Sequence, residues 1–75
     1  MPAAYVLINC SVDSVLPAID KLREIEAVDT ASAVTGKYDV IARVEVGEIE
    51  ELRDIVAGLI HETPGVEDTT TCIAT

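Results

Sequence analysis

Residues 28–46 read VDTASAVTGKYDVIARVEV, and this stretch decides the fold. Val28 to Val34 is rich in small and β-branched residues, as a strand requires. Thr35-Gly36-Lys37 is a tight turn, with Gly36 supplying a φ that other residues resist. Tyr38 to Val46 then alternates: Val40, Ala42, Val44 and Val46 face one way, and Ile41, Arg43 and Glu45 the other. Two strands joined by a turn of this kind form an antiparallel hairpin. What flanks the hairpin on each side is a strand and a helix.

Upstream, Ala3 to Cys10 is a β-rich run bounded by Pro2 and the polar Ser11/Asp13 cluster. Val6, Ile8 and Cys10 share one face; Tyr5, Leu7 and Asn9 share the other. Val15, Ile19 and Leu22, with Leu16 and Ile25 nearby, then fall on one helical face, and the helix is expected to end near Glu26-Ala27. Its start is capped by Ser11, Asp13 or Ser14. A Ser14 cap places Pro17 harmlessly in the first turn, whereas a Ser11 cap implies a kink. Downstream, Gly47 leads into a second helix. Ile49, Leu52, Ile55, Val56, Leu59 and Ile60 form its apolar stripe, with Glu48, Glu50 and Glu51 in its first turn. Thr63-Pro64-Gly65 stops it, and Val66 to Ala74 is a last strand. The order β-α-β-β-α-β defines an α+β, ferredoxin-like domain spanning 1–75. Both helices lie on one face of a four-stranded antiparallel sheet with expected strand order 4-1-3-2.

Two helices cover only one sheet face. The other carries Tyr5, Leu7 and Ile41, and the alternating sets Thr69, Thr71, Ile73 and Ala31, Ala33 are assigned to it as well. Small, threonine-rich and apolar residues are unusual on an exposed sheet, so a second copy is expected to pack there.

The chain is 75 residues long, and a domain of that size buries a thin core. With two Tyr and neither Phe nor Trp, that core is aliphatic. Five Lys and Arg against fourteen Asp and Glu give a net charge of −9, which disfavours phosphate backbones and anionic membrane surfaces. No apolar run reaches the ~20 residues of a membrane span, and Ala3 to Ile8, strand-length and with no basic residue before it, does not read as a signal peptide. A reduced, cytoplasmic protein is expected. Cys10 and Cys72 lack metal-ligand spacing and fall at opposite ends of a strand pair, so no intrachain disulfide is expected and both thiols are read as buried. No catalytic, metal or cofactor motif is present: His61 suits a helix C-terminus, and Glu48, Glu50, Glu51 and Asp54 make a solvated face.

Two segments stand out, TGKYD at 35–39 and PGVEDTTT at 64–71. A hairpin tip offers backbone N–H groups to a carboxylate, and Asp39 offers a carboxylate to an ammonium group. Threonine hydroxyls can converge on it from a neighbouring subunit. Together these suit the zwitterion end of an amino acid. The bland reading is a turn stabilised by Asp39, and a helix stop followed by an edge strand.

Over Tyr5 to Ile73 these motifs resemble the C-terminal effector-binding domain of the Lrp/AsnC transcription regulators. That resemblance implies a dimeric α/β-barrel type of assembly, joined through its sheets, and often a ring of dimers. It also implies amino acids or similar effectors bound between dimers, beside Thr35, Gly36, Tyr38, Asp39, Thr69 and Thr71. The family's helix-turn-helix is absent from these residues, as in the single-domain relatives found especially in archaea. The chain resembles one of those or a domain cut from a longer protein, and Met1-Pro2, which reads as a natural start, favours the free-standing form. The resemblance thus implies a stand-alone sensor that modulates transcription by co-assembly with full-length relatives and does not itself bind DNA. The competing readings are a small barrel enzyme using Tyr38, Asp39, Arg43 or His61, a structural assembly module, and an ACT-type sensor of the same topology.

Overall fold

The computed structural model describes residues 3–74. Strand β1 runs Ala3–Cys10, helix α1 Val15–Leu22, β2 Val28–Ala33, β3 Val40–Glu45, helix α2 Ile49–Asp54 and β4 Val66–Ala74. A π-helical segment, Ile55–Ile60, continues α2 without a break. The sheet order β2-β3-β1-β4 is the expected one, and every pairing is antiparallel. Among the described residues no helix is long and apolar enough to cross a membrane.

The core is aliphatic and lies between the sheet and the helices. β1 contributes Ala4, Val6, Ile8 and Cys10, and β3 contributes Val40, Ala42 and Val44. Ala18, Ile19 and Leu22 of α1, with Leu52 and Ile60 of the second helix, close over them. Ser14 is the N-cap residue, which leaves Pro17 in the first turn of an unkinked α1. The helix stops at Leu22, short of Glu26-Ala27, because Ile25 accepts the Val28 N–H and turns the chain into β2. Leu16, expected on the buried face, is 70% exposed.

Register corrects one expectation. Thr69, Thr71 and Ile73 stand opposite Ile8, Val6 and Ala4, and Ala31 and Ala33 stand opposite Ala42 and Val40. Directly paired residues share a face, so all five lie on the helix side of the sheet. Strand parity across a pair depends on register, which alternation within one strand does not reveal. The open face instead carries Ala3, Tyr5, Leu7 and Asn9 of β1, with Ile41, Arg43 and Glu45 of β3. Asp68, Thr70, Cys72 and Ala74 of β4, with Thr30 and Ser32 of β2, lie on it as well. It is smaller in apolar content than the sequence suggested, but Tyr5, Leu7, Ile41 and Cys72 still leave its middle apolar. Across it Arg43 is pinned to Asp29 at 2.9 Å and Glu45 at 3.0 Å. The Glu45 hydrogen bond first, then Tyr5 and Asp29, hold this guanidinium more firmly protonated than usual.

The second helix departs from a uniform α-helix for a packing reason. At about 100° per residue, Leu59 would sit within roughly 20° of Leu52. A π turn advances by roughly 80° per residue, which brings Ile60 under Leu52 and swings Leu59 outward. Ile60 is accordingly fully buried, and Leu59 is 53% exposed. The hydrogen bond from His61 N–H to the Val56 carbonyl, five residues back, is the π signature.

Candidate functional site

The turn between β2 and β3 is built outward from Asp39. Its N–H donates to the Ile8 carbonyl at 2.9 Å, which extends the β3–β1 ladder by one residue. Its carbonyl accepts the Val34 N–H at 2.9 Å, closing the six-residue loop 34–39. Its carboxylate Oδ2 accepts the Cys10 N–H at 2.8 Å. Asp39 therefore ties the turn to the end of β1, and does not bond the turn's own amides as the bland reading held. Beyond it, Thr35, Gly36 and Lys37 are exposed. Gly36 has φ +124°, with open space where a side chain would start. The Cys10 thiol lies beneath: burial first, then the Asp39 and Glu67 carboxylates, push its pKa up.

Tyr38 and β4 meet across β1. The Tyr38 hydroxyl donates to Thr70 Oγ1 at 3.5 Å, at the long limit for a hydrogen bond. The two sequence motifs are thus brought to one end of the sheet, but through Thr70, a residue not among the expected six. Thr69 and Thr71 project to the opposite, helix side. Thr35, Gly36, Tyr38 and Asp39 therefore form one group, and Thr69 and Thr71 a second, with the sheet between them. Alternation along β4 was the signal for Thr70: neighbours of Thr69 and Thr71 must face the other way.

Thr71 has its own setting. With Ile73 it forms one wall of a groove of about 330 Å³ between β4 and the second helix. Ile49, Leu52, Val56 and Ala57 form the other wall, and Glu50 and Arg53 complete the lining. This groove was not foreseen. Its sequence signal was the surplus of apolar positions in the second helix over what one buried stripe needs.

The remaining candidates are dispersed. Arg43 lies on the open face between its two carboxylates, and His61 caps the helix C-terminus, exposed. Neither is joined to Tyr38 or Asp39 by a hydrogen bond or ion pair among the described residues. A second cleft is lined by Glu26, Ala27, Glu45, Val46, Gly47 and Glu51. Yet among the described residues no three His, Cys, Asp or Glu side chains are grouped so as to hold a metal ion. Cys10 is buried and Cys72 exposed, which corrects the expectation of two buried thiols. Both are unbridged: Cys72 pairs with Tyr5, and Cys10 with Val66 at the other end of the strands.

Comparison with known proteins adds a family. The family model described as the Lrp/AsnC ligand binding domain matches residues 3–75. No match was found among curated protein sequences. Among solved structures, TTHA0845 from Thermus thermophilus superposes with a TM-score of 0.95 at 36% identity, over 100% of this chain and 94% of that one. Escherichia coli AsnC superposes with a TM-score of 0.91 at 23% identity, over 97% of this chain and 50% of its own. The transcriptional regulator NMB0573 from Neisseria meningitidis, solved as an L-Met complex, superposes with a TM-score of 0.88 at 14% identity, over 99% of this chain and 49% of its own.

Proposed function

The chain belongs to the Lrp/AsnC ligand binding domain family, and from that membership we propose that it is an amino acid-sensing module whose site is completed between subunits. One observation carries the reading. The turn residues Gly36, Tyr38 and Asp39 and the hydroxyls of Thr69 and Thr71 are separated by the sheet, so one subunit does not close them around a ligand. Two subunits can. The turn of one presents exposed amides to a carboxylate and Asp39 to an ammonium group. The helix side of β4 in another presents Thr69, Thr71 and the groove beside them.

Dimerisation through the open face supplies the first level of assembly. Tyr5, Leu7 and Ile41 lie at its centre, and covering them removes apolar area from water. The turn lies at the rim of that face, where one dimer meets the next. A ring of dimers is the natural extension. With net charge −9 the module acts on transcription through co-assembly with full-length relatives, not through DNA. NMB0573 was solved in complex with L-Met, a free amino acid of the general kind this site suits.

The test is a thermal melt against each proteinogenic amino acid. The reading predicts a rise in Tm for at least one of them at millimolar concentration, because a ligand that binds only the folded state stabilises it by mass action. No shift for any of them contradicts it.

A further inference from the structure

Building on that reading, we propose that Tyr38 is a strap across the open face, held by Thr70 and tightened when a second copy covers it. Tyr38 and Thr70 then serve the effector site as positioning residues: they fix the turn and do not touch the ligand.

The turn is anchored firmly at one end only. Asp39 fixes its base through the Ile8 carbonyl, the Val34 N–H and the Cys10 N–H. Thr35, Gly36 and Lys37 are exposed beyond it. Among the described residues, Tyr38 is the only other turn side chain with a hydrogen-bond partner, and that partner is Thr70. Thr70 stands opposite Leu7, which puts it on the open face. Tyr38 precedes β3, so strand parity does not set its side. Since β1 separates β3 from β4, the side chain must cross β1 to reach Thr70, at about 5 Å per strand spacing. Leu7 and Asn9, at this end of β1, are accordingly half-buried, whereas Tyr5, farther along the same face, is exposed.

The strap holds weakly in an isolated subunit. Its bond is 3.5 Å long and exposed, so water competes for both hydroxyls. A second copy on the open face excludes that water. Inside a covered face an unpaired hydroxyl is costly and a paired one is stronger. Assembly therefore strengthens the contact that ties the outer turn to β4. The turn amides and the Asp39 carboxylate are then presented in one geometry, and less ordering is left for a ligand to supply. The coupling is reciprocal, so a ligand that favours the fixed turn also favours the assembled state. Thr70 alone of the three threonines is placed for this, because Thr69 and Thr71 face the helices.

Two measurements on the full chain test the proposal. Tyr5 and Tyr38 are the only tyrosines and there is no Trp, so Tyr5→Phe leaves Tyr38 as the sole fluorophore. Its quenching by acrylamide is expected to be at least about twofold weaker in the assembled protein than in the same variant carrying Leu7→Asp. A dilution series gives the comparison without the second substitution. Equal quenching throughout overturns the proposal, because Tyr38 is then not at the interface. Calorimetric titration with the proteinogenic amino acid that raises Tm most reads the positioning role. Tyr38→Phe and Thr70→Val are each expected to lose about two- to tenfold in affinity, the worth of one hydroxyl bond. The double variant is expected to lose no more than either single one, and Thr70→Ser to keep wild-type affinity. Unchanged affinity in both single variants, or additive losses in the double, overturns the proposal and leaves amino acid sensing intact. A loss confined to Tyr38→Phe also overturns it, and assigns Tyr38 to ligand contact. If no amino acid binds the wild type, the functional reading falls and the positioning role with it, and unequal quenching in that event still places Tyr38 in the interface.

Discussion

Gly65 has two independent reasons to be glycine. Its φ of +93° lies where a side chain is strained, and an added Cβ would stand 2.5 Å from the Ser14 Cβ. The second contact locks the start of α1 against the turn before β4, where Ser11 N–H donates to the Gly65 carbonyl at 2.9 Å. Gly65→Ala is therefore expected to cost roughly 1–3 kcal/mol in backbone strain alone, with the clash in addition, read as a lower urea midpoint. Asp39 is a different case, because its carboxylate serves a backbone donor. Asp39→Ala strands the Cys10 N–H and is expected to cost about 1–3 kcal/mol, whereas Asp39→Asn keeps an oxygen acceptor and most of the stability. Both variants are expected to lose the effector response, the asparagine because it no longer carries the charge that an ammonium group meets. Urea denaturation and thermal shift with the bound amino acid separate the two effects.

At the scale of elements, the second helix shows what periodicity conveys and what it does not. Its apolar positions were legible, and so were its acidic start and its stop at Thr63-Pro64-Gly65. Which of Leu59 and Ile60 is buried was not legible, because a 3.6-residue period assigns both to the core face. The π segment settles it in favour of Ile60. Ile60→Ala is expected to cost about 2–5 kcal/mol, and Leu59→Ala well under about 1 kcal/mol, by chemical denaturation. A uniform α-helix, with Leu59 over Leu52, would put the larger loss at Leu59. The same limit explains β4. Alternation separated Thr69, Thr71 and Ile73 from their neighbours correctly, but the face each set occupies depends on pairing with β1, a long-range fact. Strand order was legible because the βαββαβ sequence leaves few topologies. The turn residues were legible because Gly36 and Asp39 carry local backbone chemistry. The groove was not, since it arises from how far the second helix stands from β4.

For the whole molecule, the proposed assembly turns on the open face. It is apolar at Tyr5, Leu7 and Ile41, and it carries Cys72, which is exposed in the isolated subunit. Cys72 therefore serves as a reporter. A thiol reagent is expected to label it slowly at concentrations where the protein is assembled, and faster on dilution, while Cys10 stays protected in both. Equal labelling of Cys72 at all concentrations places the interface elsewhere. The acidic surface adds a salt dependence: like-charged subunits repel, so assembly is expected to strengthen as ionic strength rises.

The central claim is that the site is complete only in the assembled protein, and that the open-face dimer is the first level of that assembly. Native mass spectrometry of Leu7→Asp, in the presence of the amino acid that stabilises the wild type, reads subunit number and bound ligand in the same ion. A buried carboxylate on each side of the interface should prevent association. The account predicts an oligomer carrying ligand for the wild type and a bare monomer for the variant. A monomer that carries ligand at wild-type occupancy would contradict it.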